Sequence, residues 1–265
     1  MLAHRSSDGP GRPVVFVHGN SSSSRTWLPL LDTSFGTRYR CFAPDLPGHG
    51  RSAPRAEGVD GYSVPGYAAA VADFITTKGL QDAVVVGWSL GGHAVIEAAP
   101  TLDTSVAGYV IFGTPPIEDA ASFARAYLPN PAMGHGFRAT LTPAEAREYA
   151  VSFVAAHSAV PLDDLVSDIL ATDPDARGGL GASVSEGRFV NEADILSHLT
   201  RPIAILHGAE ESLVSVDYLK GLAAPTLWRD SVQSVEGAGH AIHLDRPEAL
   251  ADLLEAFITD LPPHP

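Results

Sequence analysis

Apolar residues in this chain gather in short unbroken runs rather than alternating with polar ones. The runs are Val14 to Val17, Tyr39 to Ala43, Ala83 to Gly87, Ala107 to Phe112, Ile203 to His207 and Ser231 to Glu236. Runs of this length, rich in β-branched residues and without polar alternation, predict strands covered on both faces. Between several of them the spacing turns helical, predicting helices over Val64 to Lys78, Leu90 to Ala99, Val214 to Leu222 and Pro247 to Leu261. Strand and helix in succession predict an α/β fold: a mostly parallel twisted sheet with helices on both faces.

The rhythm breaks after Phe112, because the interval before Ile203 is far too long for an ordinary connection and must hold structure of its own. Its best helical signal is LTPAEAREYAVSFVAAH, with Thr142 as N-cap, Pro143 at the first helical position and Glu145 three residues after the cap. The stretch PDARGGLGASVSEGR reads equally as helix or loop. This divides the chain into a core domain, residues 1–116 and 200–265, and an inserted helical lid, residues 117–199. Asp245 and Glu248 resemble a capping pair for the last helix, with His243 helping to begin it.

Charge narrows the partners. Lys and Arg total 17 against 31 Asp and Glu, a net charge of −14, and no basic run occurs. Such a surface repels phosphate backbones and anionic headgroups, so neither nucleic acid nor a membrane is an expected partner; a small molecule is. The single cysteine, Cys41, sits in an apolar run and reads as a buried strand residue, so a reducing compartment is expected. No secretory h-region precedes it, and a cytoplasmic location is the expectation. The spacing shows no H-E-x-x-H and no phosphate-cradling glycine motif, and it leaves the oligomeric state open. No metal or cofactor is therefore expected.

The candidate chemistry centres on Gly87-Trp88-Ser89-Leu90-Gly91. It fits G-x-S-x-G, a sharp strand-to-helix turn that lifts a serine hydroxyl above the sheet edge, where flanking glycines avoid a Cβ clash. A helix-capping serine in a glycine-rich turn is the plainer reading, but the strand before and the helix after are those the turn requires. A nucleophilic serine needs a base and an orienting acid, following in the order Ser, acid, His. His240, in the loop SVEGAGHAIHLD after the last strand, is the candidate base. Glu210 and Glu211, side by side after the Ile203 strand, are the candidate acids.

An oxyanion needs donors: the Leu90 N–H at the head of the helix is one, and the Asn20 N–H in VVFVHGNSSSSRTW is the other. The Asn20 side chain is a further candidate for a polar contact to substrate. His18, Asp45 and His49 read as braces for neighbouring loops, Asp45 and His49 within PDLPGHGRS. Trp88 is a candidate pocket residue beside Ser89. Phe123, Tyr127, Leu128, Phe137, Tyr149 and Phe153 would supply an acyl pocket wherever they face inward.

Taken together, HGN, PDLPGHGRS, GWSLGGH, a carboxylate three residues after a post-strand HG, and GAGH resemble the α/β-hydrolase family over the whole core domain. The acid of that family commonly stands three residues past the glycine of such a turn. With Gly208 as that glycine, the resemblance selects Glu211. HGNSSSS and the GTPP of Gly113 to Pro116 resemble the metal-independent N-acyl-homoserine lactonases among them, which open the lactone of quorum-sensing signals and use glutamate as the acid. EAREYAVSF resembles their lid and makes Tyr149 a candidate substrate donor. The chain begins about one strand later than such proteins usually do, so a missing first edge strand or a late recorded start is expected. The rival readings are a general carboxylesterase for small acyl esters and a nearly inactive small-molecule receptor on the same scaffold.

Overall fold

The computed structural model describes residues 1–262; the last three residues of the expected core domain lie outside them. A seven-stranded sheet carries the fold: β1 (His4–Ser6), β2 (Gly11–Val17), β3 (Tyr39–Pro44), β4 (Ala83–Trp88), β5 (Val106–Phe112), β6 (Ile203–Gly208) and β7 (Gln233–Val235), in spatial order β1-β3-β2-β4-β5-β6-β7. All neighbours are parallel except β1, which runs antiparallel to β3. The edge strand β1 spells HRS, so no apolar run announces it. Likewise the Ser231 to Glu236 run yields only three paired residues, Gln233–Val235.

Every residue of β4, β5 and β6 is buried, which requires cover on both faces. The helices supply it. They are α1 (Leu28–Leu31), α2 (Ser34–Arg38), α3 (Val64–Thr77), α4 (Leu90–Leu102), α5 (Ala120–Ala126), α6 (Pro143–Val151), α7 (Asp163–Ala171), α8 (Pro174–Ser185), α9 (Glu192–His198), α10 (Val216–Lys220), α11 (Ile242–Asp245) and α12 (Pro247–Asp260). Helices α3 and α4 pack on one another against the strands, and α1, α11 and α12 form a second group. No described helix is long and apolar enough to cross a membrane.

Five helices, α5 to α9, lie between β5 and β6. Helix α6 has the cap its sequence predicts: the Thr142 side chain accepts the Glu145 N–H, and the Glu145 carboxylate takes the Thr142 N–H at 2.7 Å. The ambiguous PDARGGLGASVSEGR stretch is helical from Pro174 to Ser185, started by the Asp173 side chain and Pro174. Gly179 and Gly181 allow close packing, since a Cβ would run into the Val59 carbonyl oxygen at the first and lie 2.7 Å from the Phe137 carbonyl oxygen at the second. Buried Arg177 binds the insertion together by donating to the carbonyls of Ile169, Arg138 and Ala139 at 2.6, 2.9 and 2.9 Å.

Candidate active site

The parallel strands present their carboxyl ends to one rim, where ligands of open α/β sheets bind. Ser89 stands there at the join of β4 and α4 with φ of +54° and ψ of −121°, a conformation costly for a residue with a Cβ. A Cβ at Gly87 would lie 2.5 Å from the Gly92 Cα, which explains the glycine before the serine. The turn is held by its backbone, with Ser89 N–H donating to Phe112 O at 3.0 Å and Gly92 N–H to Ser89 O at 2.8 Å. The Thr114 hydroxyl also donates to the Ser89 carbonyl at 2.9 Å.

His240 is buried and its loop is pinned at three successive residues. The Gly239 N–H donates to Asp245 Oδ2 at 2.8 Å, Trp88 Nε1 donates to the His240 carbonyl at 3.0 Å, and the Ala241 N–H donates to the Phe153 carbonyl at 2.6 Å. Glu211 Oε2 accepts from His240 Nδ1 at 2.7 Å, and Glu211 Oε1 accepts the Leu213 N–H at 2.7 Å. Burial by itself would raise the Glu211 pKa; the charge of His240, its hydrogen bond and the Leu213 N–H outweigh burial and lower it. The acid is thus held ionised behind the ring. Its neighbour Glu210 is exposed and is not hydrogen-bonded to His240.

Ser89 and His240 border one cavity with Asn20 and Leu90. Neither the Asn20 nor the Leu90 N–H is taken by a protein acceptor among the described residues, so both remain available to a ligand oxygen. The Asn20 side chain, expected as a substrate contact, is engaged elsewhere: its Nδ2 donates to the Gly136 carbonyl at 2.6 Å and its Oδ1 accepts from the Ser21 hydroxyl. It ties the rim to the insertion. Tyr149 borders the cavity with its ring edge-on to Phe153 at 4.6 Å. Of the aromatic and aliphatic candidates, Phe123, Tyr127, Phe137 and Phe153 also line it. Leu128 does not, and is 38% exposed.

Two further expectations are corrected. Trp88 is fully buried and does not border the cavity; the turn that raises Ser89 leaves the indole beneath it, 4.6 Å from the His243 ring. It acts as a brace for His240. Asp245 does not cap α12, whose N-cap is Arg246 without a side-chain bond; its Oδ2 instead takes the Ala155 and Gly239 N–H groups. Two unpaired loop donors claim the carboxylate before the helix can. His243 lies in α11, bonded to the Thr26 hydroxyl at 2.6 Å.

The braces fall as the sequence suggests. His18 Nδ1 donates to Gly19 O at 2.8 Å while its Nε2 accepts the Leu46 N–H at 2.9 Å, locking two rim loops together. Asp45 accepts the Ser24 and Arg51 N–H groups, and burial drives the His49 pKa down to about 3. Among the described residues no group of three or more His, Cys, Asp or Glu could hold a metal ion.

One cluster was not anticipated. His93, one turn into α4, lies with Nδ1 2.8 and 2.9 Å from the two Glu192 oxygens and Nε2 3.0 Å from the Tyr127 hydroxyl. All three border the same cavity. Its only sequence signal was the histidine ending GWSLGGH, and its partners lie 99 and 34 residues away.

The model of the alpha/beta hydrolase family matches residues 14–253. Crystal structures of the N-acyl homoserine lactonase AidH superpose with a TM-score of 0.92. The complex with N-butanoyl homoserine is 31% identical and covers all of this chain and 96% of that one. A mutant bound to N-hexanoyl homoserine lactone is 32% identical over 98% of this chain and 94% of that one. The pimeloyl-acyl-carrier-protein methyl ester esterase of Xanthomonas campestris pv. campestris is 27% identical over 96% of this chain and 98% of its own length.

Proposed function

This chain belongs to the alpha/beta hydrolase family and is a hydrolase acting on ester bonds; from that premise we propose that it opens N-acyl-homoserine lactones through Ser89, His240 and Glu211. The observation that carries the catalytic assignment is the buried Glu211–His240 bond beside a serine held at φ of +54°, all at one cavity. The substrate assignment rests on the likeness to the lactonase structures.

With Nδ1–H donated to Glu211, the His240 ring presents Nε2 as its basic nitrogen. That nitrogen takes the Ser89 proton as the hydroxyl attacks the carbonyl, and Glu211 stabilises the imidazolium formed. The negative oxygen is received by the Asn20 and Leu90 N–H groups, the second at a helix N-terminus. His240 then returns its proton to the departing ring oxygen. Water repeats the sequence to release the acid.

A lactone adds a condition, because the expelled alcohol remains tethered to the acyl-enzyme at high effective concentration and can close the ring again. The insertion, residues 117–199, serves as the lid that places it out of line. Tyr149, bordering the cavity from α6, holds the amide end of the substrate while water enters. The apolar lining, Phe123, Phe137, Phe153, Phe189 and Leu180, receives the acyl chain.

The test is a panel of N-acyl-homoserine lactones of increasing chain length, assayed by proton release on ring opening, with Ser89→Ala as the blank. Steady turnover lost in the blank supports the reading. Hydrolysis of a chromogenic ester without any lactone opening would replace it with a general carboxylesterase. Serine labelling by a phosphonate with no turnover of either substrate would leave a receptor.

A further inference from the structure

The cavity wall also holds a hydrogen-bonded chain that the ester chemistry does not use. Glu192 is 2% exposed; its Oε2 accepts the Ile117 N–H at 2.8 Å, and both its oxygens face His93 Nδ1. A carboxylate only accepts, so the Nδ1 hydrogen is fixed on His93. Burial favours neutral His93, but the Glu192 charge and bond together raise its pKa. Nδ1 set against both oxygens of a buried carboxylate is the geometry of an imidazolium ion pair, and in that pair Nε2–H donates to the Tyr127 oxygen at 3.0 Å.

Tyr127 then has one hydrogen left. It finds no acceptor in the protein among the described residues, and the residue borders a cavity whose lining is otherwise largely apolar. An uncommitted donor in such a place costs free energy until a ligand oxygen meets it. Glu192 and Tyr127 belong to the insertion, while His93 belongs to α4, one turn from Ser89. The chain of bonds fixes the sense of the tyrosine as well as its position.

We propose that Tyr127, oriented by His93 and Glu192, is a specificity-determining donor for a second oxygen of the acyl group, so that acyl chains bearing a keto oxygen beyond the scissile carbonyl are favoured over plain ones. The inference rests on the ester-hydrolase reading for its substrates, but not on the lactone. His93 and Glu192 are positioning residues, and Tyr127 makes the contact.

The experiment uses matched pairs that differ by one keto oxygen: N-(3-oxohexanoyl)- against N-hexanoyl-homoserine lactone, and ethyl acetoacetate against ethyl butyrate. For the intact protein the oxo member of each pair should have the higher kcat/KM, and Tyr127→Phe should cut that preference by roughly 3- to 10-fold, chiefly through KM. A loss shared equally by both members, or no preference in the intact protein, overturns the proposal.

Calorimetric binding of the same lactone pair to Ser89→Ala, with and without Tyr127→Phe, reads the contact without turnover. If no ester or lactone is hydrolysed the catalytic reading falls, while an oxo preference in binding that vanishes with Tyr127→Phe still upholds the donor. Because the intact protein and Ser89→Ala already report the preference, misfolding of the Tyr127 variant would not shield the proposal: equal affinity for the two lactones together with equal kcat/KM for the two ethyl esters sinks it.

Discussion

The Glu211 carboxylate lies 2.7 Å from His240 Nδ1 and commits its second oxygen to the Leu213 N–H at the same distance. Both oxygens therefore face donors. Glu211→Gln would turn an NH₂ group toward one of them, so that either the His240 tautomer or the Leu213 turn is lost. The expected result is a fall in kcat/KM of about 10²- to 10⁴-fold on any ester, as for loss of the orienting acid in comparable sites. Glu210→Gln, at an exposed side chain, should stay within about 2-fold. Steady-state kinetics of the two variants side by side decides which glutamate is the acid.

Gly113 gives the GTPP motif a physical role. Its φ is +60°, and a Cβ there would sit 2.8 Å from His240 Cε1 and 2.9 Å from Nδ1. Gly113→Ala must push the ring aside or shift β5, and a displacement near 1 Å in a catalytic group costs on the order of 10²-fold in rate. The measurement is kcat/KM for an ester together with Tm. A normal rate would show that His240 tolerates the shift and need not stand where it does.

Asn20 separates a backbone role from a side-chain role. Asn20→Ala keeps the N–H assigned to the oxyanion but removes the 2.6 Å tie to Gly136. Loss of an oxyanion donor costs about 10²- to 10³-fold in kcat, whereas loss of a tie to the insertion loosens substrate binding. The expected outcome is a raised KM with kcat reduced less than about 10-fold. A collapse of kcat at unchanged KM would assign the oxyanion contact to the side chain instead.

What could be read from the chain follows the range of the signals. The strand runs and the elbow are local patterns, so β2 to β6 and the Ser89 turn were legible. The α6 cap was legible for the same reason, every partner lying within three residues. Glu211 was reached only through resemblance, since spacing alone left Glu210 equal. What failed was direction and distance. Nothing near Trp88 says that its indole turns beneath the elbow, nothing near Asp245 says that loop donors at 155 and 239 claim it, and the His93 partner stands 99 residues away. The polar strand β1 pairs through its backbone, which hydrophobic pattern cannot register.

Glu97 offers a pH test of the cluster behind Tyr127. Burial first, and then the nearby Glu192 charge, raise its pKa from 4.5 to about 8, against a lowering by the Val190 N–H bond. In the folded protein the group keeps its proton up to that range; in the unfolded chain it loses it near 4.5. Between those values the unfolded state binds fewer protons, so stability from this group is complete below pH 4.5 and declines as pH rises toward 8. Glutamine mimics the protonated acid and does not titrate. Glu97→Gln should therefore match the parent near pH 4.5 and be more stable near pH 8 by on the order of 1–3 kcal/mol, a Tm gain of several degrees. Thermal unfolding of both proteins across that window is the measurement. A Tm difference that stays constant with pH would mean that Glu97 is ionised in the fold, and that Glu192 faces a second negative charge in place of a neutral acid.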